Sequence, residues 1–440
     1  MKGISVRRLV SSSALSVLLL TAYCVLPTAV MADEADTAAL KAEMEVLKDR
    51  LARLERQLAT ADLQGTSGIG EKPGVPGLVE LPSGLQGLAL SGYADIAYGY
   101  NFKEVDPPAE NGSRVFDKES NGFTPHAFEL VVEKPMTDQM PIGFRTDLFF
   151  GDDAEQIHST GLPTLTSGNS EAFDLQQAYI TARAPIGEGI DFKVGKFVTL
   201  LGAEVIESPA NWNYSRSYMF GFSIPFTHTG VLASYPLGEW GSTTLGVVNG
   251  WDIVDDNNKA KSLIGNITLT PMESLTLSFN GITGAERSRD SRNKRTVISN
   301  VITWIPPIPN LTLMANYDYG HESGLTAGTQ ATKGFEAANW QGLALYAKYD
   351  LSPTWNLAGR WEWFDDKDNV RTRLTSLGAS TPLDIDFYGY TLTSQWTLYD
   401  HVIARLEYRH DKADERVFSH DEGGLSTSQD TIAAELIYHF

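Results

Sequence analysis

Between about Thr199 and Thr227 the chain gathers Gly202, Glu204, Glu207, Pro209, Asn211, Trp212, Tyr214, Arg216, Tyr218 and Phe220. Carboxylates and a guanidinium at this spacing can set up a local electric field. The aromatic side chains need a surface to pack on, which a freely solvated loop does not offer. Ser215, with His228 thirteen residues on, also supplies the elements of a Ser–His nucleophile, although hydroxyls near a histidine are common by chance. There is no glycine-rich phosphate loop, His-Glu-x-x-His helix or zinc spacing, and the eight His are scattered. Neither cofactor, metal centre nor enzymatic activity is therefore expected.

The elements that must position these residues begin with an export signal. Lys2, Arg7 and Arg8 precede an apolar run from Leu9 to Leu26, and Pro27 to Ala32 supplies small residues at a cleavage point, so 1–32 reads as a signal peptide. Cleavage there discards Cys24, the one cysteine, and leaves 408 residues with a net charge of −23 against −20 for the whole chain. A disulfide scaffold, a thiolate metal site and a cysteine nucleophile are excluded. The acidic balance argues against nucleic acid as a partner. No other apolar run reaches the length of a membrane-crossing helix.

Residues 33–64 carry a heptad seam of Thr37, Leu40, Met44, Leu47, Leu51, Leu54, Leu58 and Ala61. With Leu40, Leu47 and Leu54 at d, the g residues Asp36, Glu43 and Arg50 face e residues Lys41, Lys48 and Glu55 of a parallel copy, each pair opposite in charge. This predicts parallel self-association through Leu40, Met44, Leu47, Leu51, Leu54 and Leu58, the alternative being a lone amphipathic helix. Gly and Pro through 65–87 read as a flexible linker.

From 88 to 440 the pattern has period two. Leu343, Leu345, Ala347 and Tyr349 oppose Tyr346 and Lys348, and Val402, Ala404, Leu406 and Tyr408 oppose Arg405, Glu407 and Arg409. Sixteen strands are predicted, at 88–101, 123–134, 140–151, 173–184, 189–198, 228–236, 240–250, 260–270, 273–284, 295–304, 309–319, 339–350, 354–365, 385–398, 400–411 and 428–440. A soluble sandwich also alternates, but it would bury the apolar face. Here long polar connections such as 102–122, 152–172 and 366–384 alternate with tight turns such as 135–139 and 351–353, the signature of an all-β transmembrane antiparallel barrel of about 16 strands. Tyr349, Trp355, Trp363, Tyr388, Tyr390, Trp396 and Tyr408 fall near strand ends, where interfacial girdles lie. Ile432, Ala434, Leu436, Tyr438 and Phe440 share one face of the last strand. They resemble the C-terminal signal of bacterial outer-membrane proteins, with Tyr438 and Phe440 the residues offered to the barrel-assembly machinery.

Within a barrel of this size the segment 199–227 would fold inward and form the constriction through Glu204, Glu207, Asn211, Tyr214 and Arg216. Its acids and Arg216 would face a wall lined by Glu129, Arg145, Asp147, Arg183, Lys348, Arg360, Glu362, Arg405, Glu407 and Arg409. Either the wall bases set up a transverse field that orders polar solutes, or most of them pair with Glu129, Asp147, Glu362, Glu407 and Glu435. Acidic runs at Asp152-Asp153, Asp255-Asp256, Asp365-Asp366 with Asp368, and Asp421-Glu422 read as cation-binding loops or as solvated charges bridged by cations to lipopolysaccharide. Arg287, Arg289, Arg292, Lys294 and Arg295 form one basic loop, a contact for anionic head groups or a solvated run.

Gly202-Ala203-Glu204, Asn211, Tyr214-Ser215-Arg216-Ser217, Pro225-Phe226-Thr227-His228-Thr229-Gly230 and Val248-Asn249-Gly250-Trp251-Asp252 together resemble the OmpL-like β-barrel porins of Gram-negative bacteria, over 88–440. The resemblance implies an outer-membrane channel for passive diffusion of small hydrophilic solutes, without naming one. It carries over Glu204, Asn211, Tyr214, Arg216 and His228 as structural or constriction positions. A coiled coil before the barrel is similar to one in some trimeric porins, implying a homotrimer with the coil in the periplasm and outer-membrane lipid and lipopolysaccharide around the barrel. A plugged structural barrel or cell-wall tether, and a substrate-specific channel, remain as alternatives.

Overall fold

The computed structural model describes residues 87–103, 111–163, 172–324, 337–374, 384–420 and 424–440. The expected signal peptide, the coiled coil and nearly all of the linker lie outside the described residues, as does Asp421-Glu422.

Alternation of side chains at period two decides the fold. The strands are β1 (Ala89–Asn101), β2 (Gly122–Lys134), β3 (Ile142–Phe150), β4 (Phe173–Ala184), β5 (Ile190–Val198), β6 (Thr227–Pro236), β7 (Gly241–Val248), β8 (Ser262–Met272), β9 (Leu275–Gly284), β10 (Arg295–Trp304), β11 (Leu311–Ser323), β12 (Ala337–Ser352), β13 (Trp355–Asp365), β14 (Asp386–Leu398), β15 (Val402–Ala413), the short pair β16 (Phe418–His420) and β17 (Gly424–Ser426), and β18 (Ser428–His439). Apart from β16 and β17, which make a separate two-stranded hairpin, each strand pairs antiparallel with its sequence neighbours, and β18 pairs with both β15 and β1. Sixteen strands thus close into a barrel without an edge, so no row of unpaired backbone groups faces outward. All sixteen expected strands are present, with ends shifted by at most four residues.

The two faces are reversed relative to a water-soluble protein. On β15, Arg405, Glu407, Arg409 and Asp411 are buried, whereas Leu406 and Tyr408 are about half exposed at 46% and 45%. β18 buries Gln429, Thr431 and Glu435 and exposes Ile432, Leu436 and Tyr438. Exposing this much apolar area to water would forfeit about 25 cal/mol per Å², but facing hydrocarbon it costs nothing. Among the described residues no helix is long and apolar enough to cross a membrane.

The seam between β1 and β18 runs from Tyr93 opposite His439 to Asn101 opposite Thr431. It is extended by a reciprocal pair of backbone bonds, Gly92 N–H to the Phe440 carbonyl at 3.1 Å and Phe440 N–H to the Gly92 carbonyl at 3.0 Å. A Cβ at Gly92 would stand 2.1 Å from the Glu129 carbonyl oxygen and 2.9 Å from the Phe440 ring, so only glycine allows this approach. One short helix, α1 (Asp152–Ile157), follows β3 and packs against β2, β3 and β4.

Candidate functional site

The connection between β5 and β6 holds the residues with which the sequence is most crowded, and the structure seats it against the inner faces of strands around the barrel. Gly202 N–H donates to Ser299 Oγ on β10 (3.0 Å) and Ala203 N–H to Asn316 Oδ1 on β11 (3.1 Å). Asn213 Nδ2 donates to Thr393 Oγ1 on β14 (2.7 Å). Met219 to Ser223 form a single π-helical turn. A Cβ at Gly342 of β12 would stand 2.7 Å from Met219 Cγ, so the missing side chain there makes room for the turn.

Two wall carboxylates act as caps for free backbone N–H groups of this segment. Glu407 accepts from Tyr214 N–H (2.7 Å) and Ser215 N–H (3.0 Å), and Glu362 accepts from Tyr218 N–H (2.6 Å). The wall arginines take its carbonyls. Arg360 Nη1 donates to the Ser215 carbonyl (2.6 Å), Arg409 Nη1 to that of Arg216 (2.7 Å) and Arg405 Nη2 to that of Asn211 (2.7 Å). An irregular segment inside a barrel has no strand partner for its backbone, and these side chains satisfy groups that would otherwise each cost about 1–3 kcal/mol.

Glu204 sits at the centre of this arrangement. Its Oε1 accepts from Arg360 Nη1 at 2.7 Å, and its Oε2 accepts from Ser217 N–H at 2.8 Å and Ser217 Oγ–H at 2.5 Å. The remaining wall charges are largely mutual. Arg409 pairs with Asp411 (2.8 Å) and lies 3.4 Å from Glu362, Arg405 pairs with Glu435 (3.0 Å), and Arg145 with Asp147 (2.8 Å). Arg145, Arg360, Arg405 and Arg409 each thus have a carboxylate partner, whereas Glu129 and Glu407 pair with no wall base among the described residues. Lys348 lies 3.9 Å from Asp350 Oδ1, with its Nζ also 5.4 Å from the Trp212 ring centre. Arg183 pairs with Asp191 in a half-exposed bridge beside the β4–β5 turn, away from the segment.

Three further residues expected at the constriction have partners close at hand. Arg216 turns back on its own segment, donating to the carbonyls of Val205 (3.2 Å), Tyr214 (2.7 Å) and Ile206 (2.6 Å) and to Ser208 Oγ (3.1 Å). Asn211 clips the same turn, its Oδ1 accepting from Val205 N–H (3.0 Å) and its Nδ2 donating to the Val205 carbonyl (2.8 Å). Glu207 accepts from Gln176 Nε2 (2.6 Å) and lies with Glu129 and Asp147, an acidic rather than basic stretch of wall. Burial holds its carboxyl above the usual carboxylate range.

Tyr214 closes a relay that the sequence did not reveal. Its hydroxyl is 2.8 Å from His126 Nε2 on β2, and His126 Nδ1 is 2.9 Å from Asp153 Oδ1 on α1. His126 and Gln176, and Asp153 through His126, are partners of the segment that spacing missed, because they come together with it only after the barrel closes. Apolar contacts add to the polar ones. Phe220 and Phe226 pack on Phe116 with ring centres 5.5 Å apart, and Tyr218 lies against Phe387 at 4.7 Å.

The Ser215–His228 pair considered for nucleophilic chemistry is not assembled. Ser215 Oγ accepts from Arg360 Nη2, whereas His228 bonds the Gly250 carbonyl (2.8 Å) and Thr199 Oγ1 (3.1 Å). His228 instead joins two of the sequence blocks, as does Asp252, whose Oδ1 accepts from Phe226 and Thr227 N–H at 2.8 Å each. The acidic runs also have local partners: Asp366 accepts from Val370, Arg371 and Thr372 N–H, and Asp256 pairs with Lys261. In the basic loop Arg295 pairs with Glu322 (2.8 Å) and Arg287 donates to the Gly324 carbonyl.

The family described as "Putative beta-barrel porin-2, OmpL-like" matches residues 87–440. Solved structures share the fold at low identity. The outer membrane channel DcaP of Acinetobacter baumannii is 14% identical with a TM-score of 0.54, covering 80% of this chain and 97% of its own. The anion-selective porin from Comamonas acidovorans gives 11%, 0.52, 80% and 99%. The trimer form of in-vitro folded OmpT, an outer membrane protein of Vibrio cholerae, gives 10%, 0.51, 80% and 99%. No curated protein matches the chain.

Proposed function

The chain belongs to the family of OmpL-like β-barrel porins, and on that footing we propose that it is an outer-membrane porin, through which small hydrophilic solutes and ions diffuse passively along a water-filled lumen. One observation carries the reading: a closed, inside-out barrel of sixteen strands with the segment between β5 and β6 held against its interior. A barrel of about this strand number encloses more space than its own side chains fill. An inward segment would reduce that space to a passage of solute size, with Glu204, Glu207, Asn211, Tyr214 and Arg216 fixing its shape.

Charge preference would come from what is left unpaired. Arg360, Arg405 and Arg409 are neutralised locally, whereas Glu129, Asp147 and Glu207 outnumber the single Arg145, which bonds Asp147. A modest cation preference follows. The trimer form of the Vibrio neighbour supports assembly as a homotrimer, for which the heptad seam of residues 33–64 would serve as a periplasmic clamp after removal of the signal peptide. Outer-membrane lipid and lipopolysaccharide would surround the barrel, and the last strand would engage the assembly machinery.

The burial of residues 213–220 and 223–228 favours a second reading, a plugged barrel with a structural role. Planar-bilayer recording of the purified oligomer under a salt gradient, with EDTA on both sides, separates the two. Large steps in groups of three with a cation-favouring reversal potential support the porin, and Glu207→Gln should move that potential toward zero. Silence from a folded, heat-modifiable oligomer overturns it in favour of the plug.

A further inference from the structure

Glu129 on β2, Asp147 on β3 and Glu207 of the inward segment each place a carboxylate oxygen within 4.8 Å of the other two. Three like charges at this spacing repel strongly in a site of reduced dielectric. Their observed partners are few. Arg145 Nε bonds Asp147 at 2.8 Å but is shared with Glu133, 3.8 Å from its Nη1. Gln177 Nε2 donates to Asp147 Oδ2 at 2.5 Å and Gln176 Nε2 to Glu207 Oε1 at 2.6 Å. Lys193 is occupied over the Tyr179 ring, 4.3 Å from its centre.

Two further oxygens point the same way. Glu129 is only 3% exposed and its Oε1 has no hydrogen-bond partner. Gln176 is fully buried, and its Oε1, on the amide that reaches Glu207, has none either. A buried oxygen without a donor is an acceptor waiting for a positive charge, and a neutral amide oxygen beside carboxylates is a ligand type that hard cations take. Spacing agrees: oxygens about 2.4 Å from a common ion can be no more than about 4.8 Å apart. The charge also agrees, since three carboxylates and one guanidinium leave two negative charges.

We infer that Glu129, Asp147 and Glu207, with the Gln176 amide oxygen, form a binding site for a divalent hard cation that ties the inward segment to the wall at β2 and β3. Three ligands come from the successive strands β2, β3 and β4 and the fourth from the segment between β5 and β6, which is why no spacing motif marks the site. The cation replaces the wall base that Glu207 lacks, and it makes the seating of this end of the segment dependent on metal. The inference concerns binding and is independent of whether the barrel conducts.

The test is calorimetric titration of Ca²⁺, and separately Mg²⁺, into the full-length protein in detergent after EDTA treatment and buffer exchange, in about 0.1 M salt to screen diffuse surface binding. Wild type should bind one Ca²⁺ or Mg²⁺ per chain above the weak background, and Glu129→Gln and Glu207→Gln should each weaken that site at least tenfold. Gln176→Leu, which leaves every charge in place, should weaken it several-fold. Heat-modifiable migration verifies that each compared variant is folded, and wild type alone decides the matter if none is. Absence of a stoichiometric site in wild type, or isotherms unchanged in folded variants, overturns the inference and leaves the triad holding protons instead.

Discussion

Arg360 and Glu204, 156 residues apart in sequence, meet at 2.7 Å between the wall of β13 and the inward segment, both buried from solvent. Breaking a buried pair by removing one partner costs about 3–5 kcal/mol, because the other charge is left uncompensated. Glu204→Gln should therefore loosen the segment without opening the barrel. The expected result is faster proteolytic cleavage between 199 and 226 and larger, noisier single-channel steps, with heat-modifiable migration retained.

Tyr214→Phe removes one hydroxyl from the relay through His126 to Asp153. Loss of a single hydrogen bond should cost about 1 kcal/mol. His126→Ala should cost more, since it also leaves Asp153 buried without its partner. Thermal unfolding followed by tryptophan fluorescence should rank the two variants in that order below wild type.

Asp252 lies in the connection between β7 and β8, and burial pushes its carboxyl up to about 6 despite the two N–H groups that lower it. A folded-state value above the unfolded one means that the folded protein prefers the protonated form. This contribution to stability is complete below about pH 4 and is lost as pH rises through 6. Unfolding midpoints measured from pH 4 to 7 should show this loss in wild type, and Asp252→Asn should flatten that part of the profile.

Gly92→Ala would force a Cβ into the Glu129 carbonyl and the Phe440 ring at the seam of β1 and β18. The variant should lower the fraction of heat-modifiable barrel in the outer-membrane fraction. Phe440→Ala in the same background should not restore it, because the closer clash is with backbone.

Deleting residues 33–64 tests the clamp. The oligomer should dissociate more readily in detergent by native mass measurement, whereas each barrel keeps its conductance. Unchanged oligomer stability would remove the heptad seam as the basis of self-association.

Strand positions were legible because a lipid-facing surface and a polar lumen impose period-two alternation on every strand, as on Val402 to Tyr408. The aromatic content of 199–227 likewise called for a packing surface, and Tyr218 packs on Phe387 of β14. Partners within the lumen were not legible. Which wall residue meets Glu207 depends on strand stagger around the closed sheet, which places it beside Glu129 and Asp147 rather than an arginine. Arg216 read as a constriction charge facing the wall, but the turn clipped by Asn211 offers it the Val205 and Ile206 carbonyls, and Tyr214 a third, at closer range. His126 carried no signal at all, since a single histidine in an alternating strand is indistinguishable from lumen filler until α1 and the segment close on it.

The bonds from Glu362, Arg360, Arg405, Glu407 and Arg409 to the segment's backbone have a bearing on engineering. A designer wishing to widen this barrel for sensing would start by excising the segment, as if it were furniture in a finished room. Here the furniture holds up the walls: removal would take away the backbone groups that five buried side chains bond, leaving only the wall's own bonds and ion pairs to hold them. Aperture and robustness are thus a single variable in this protein, and a wider version must rewrite β13 and β15 in the same step.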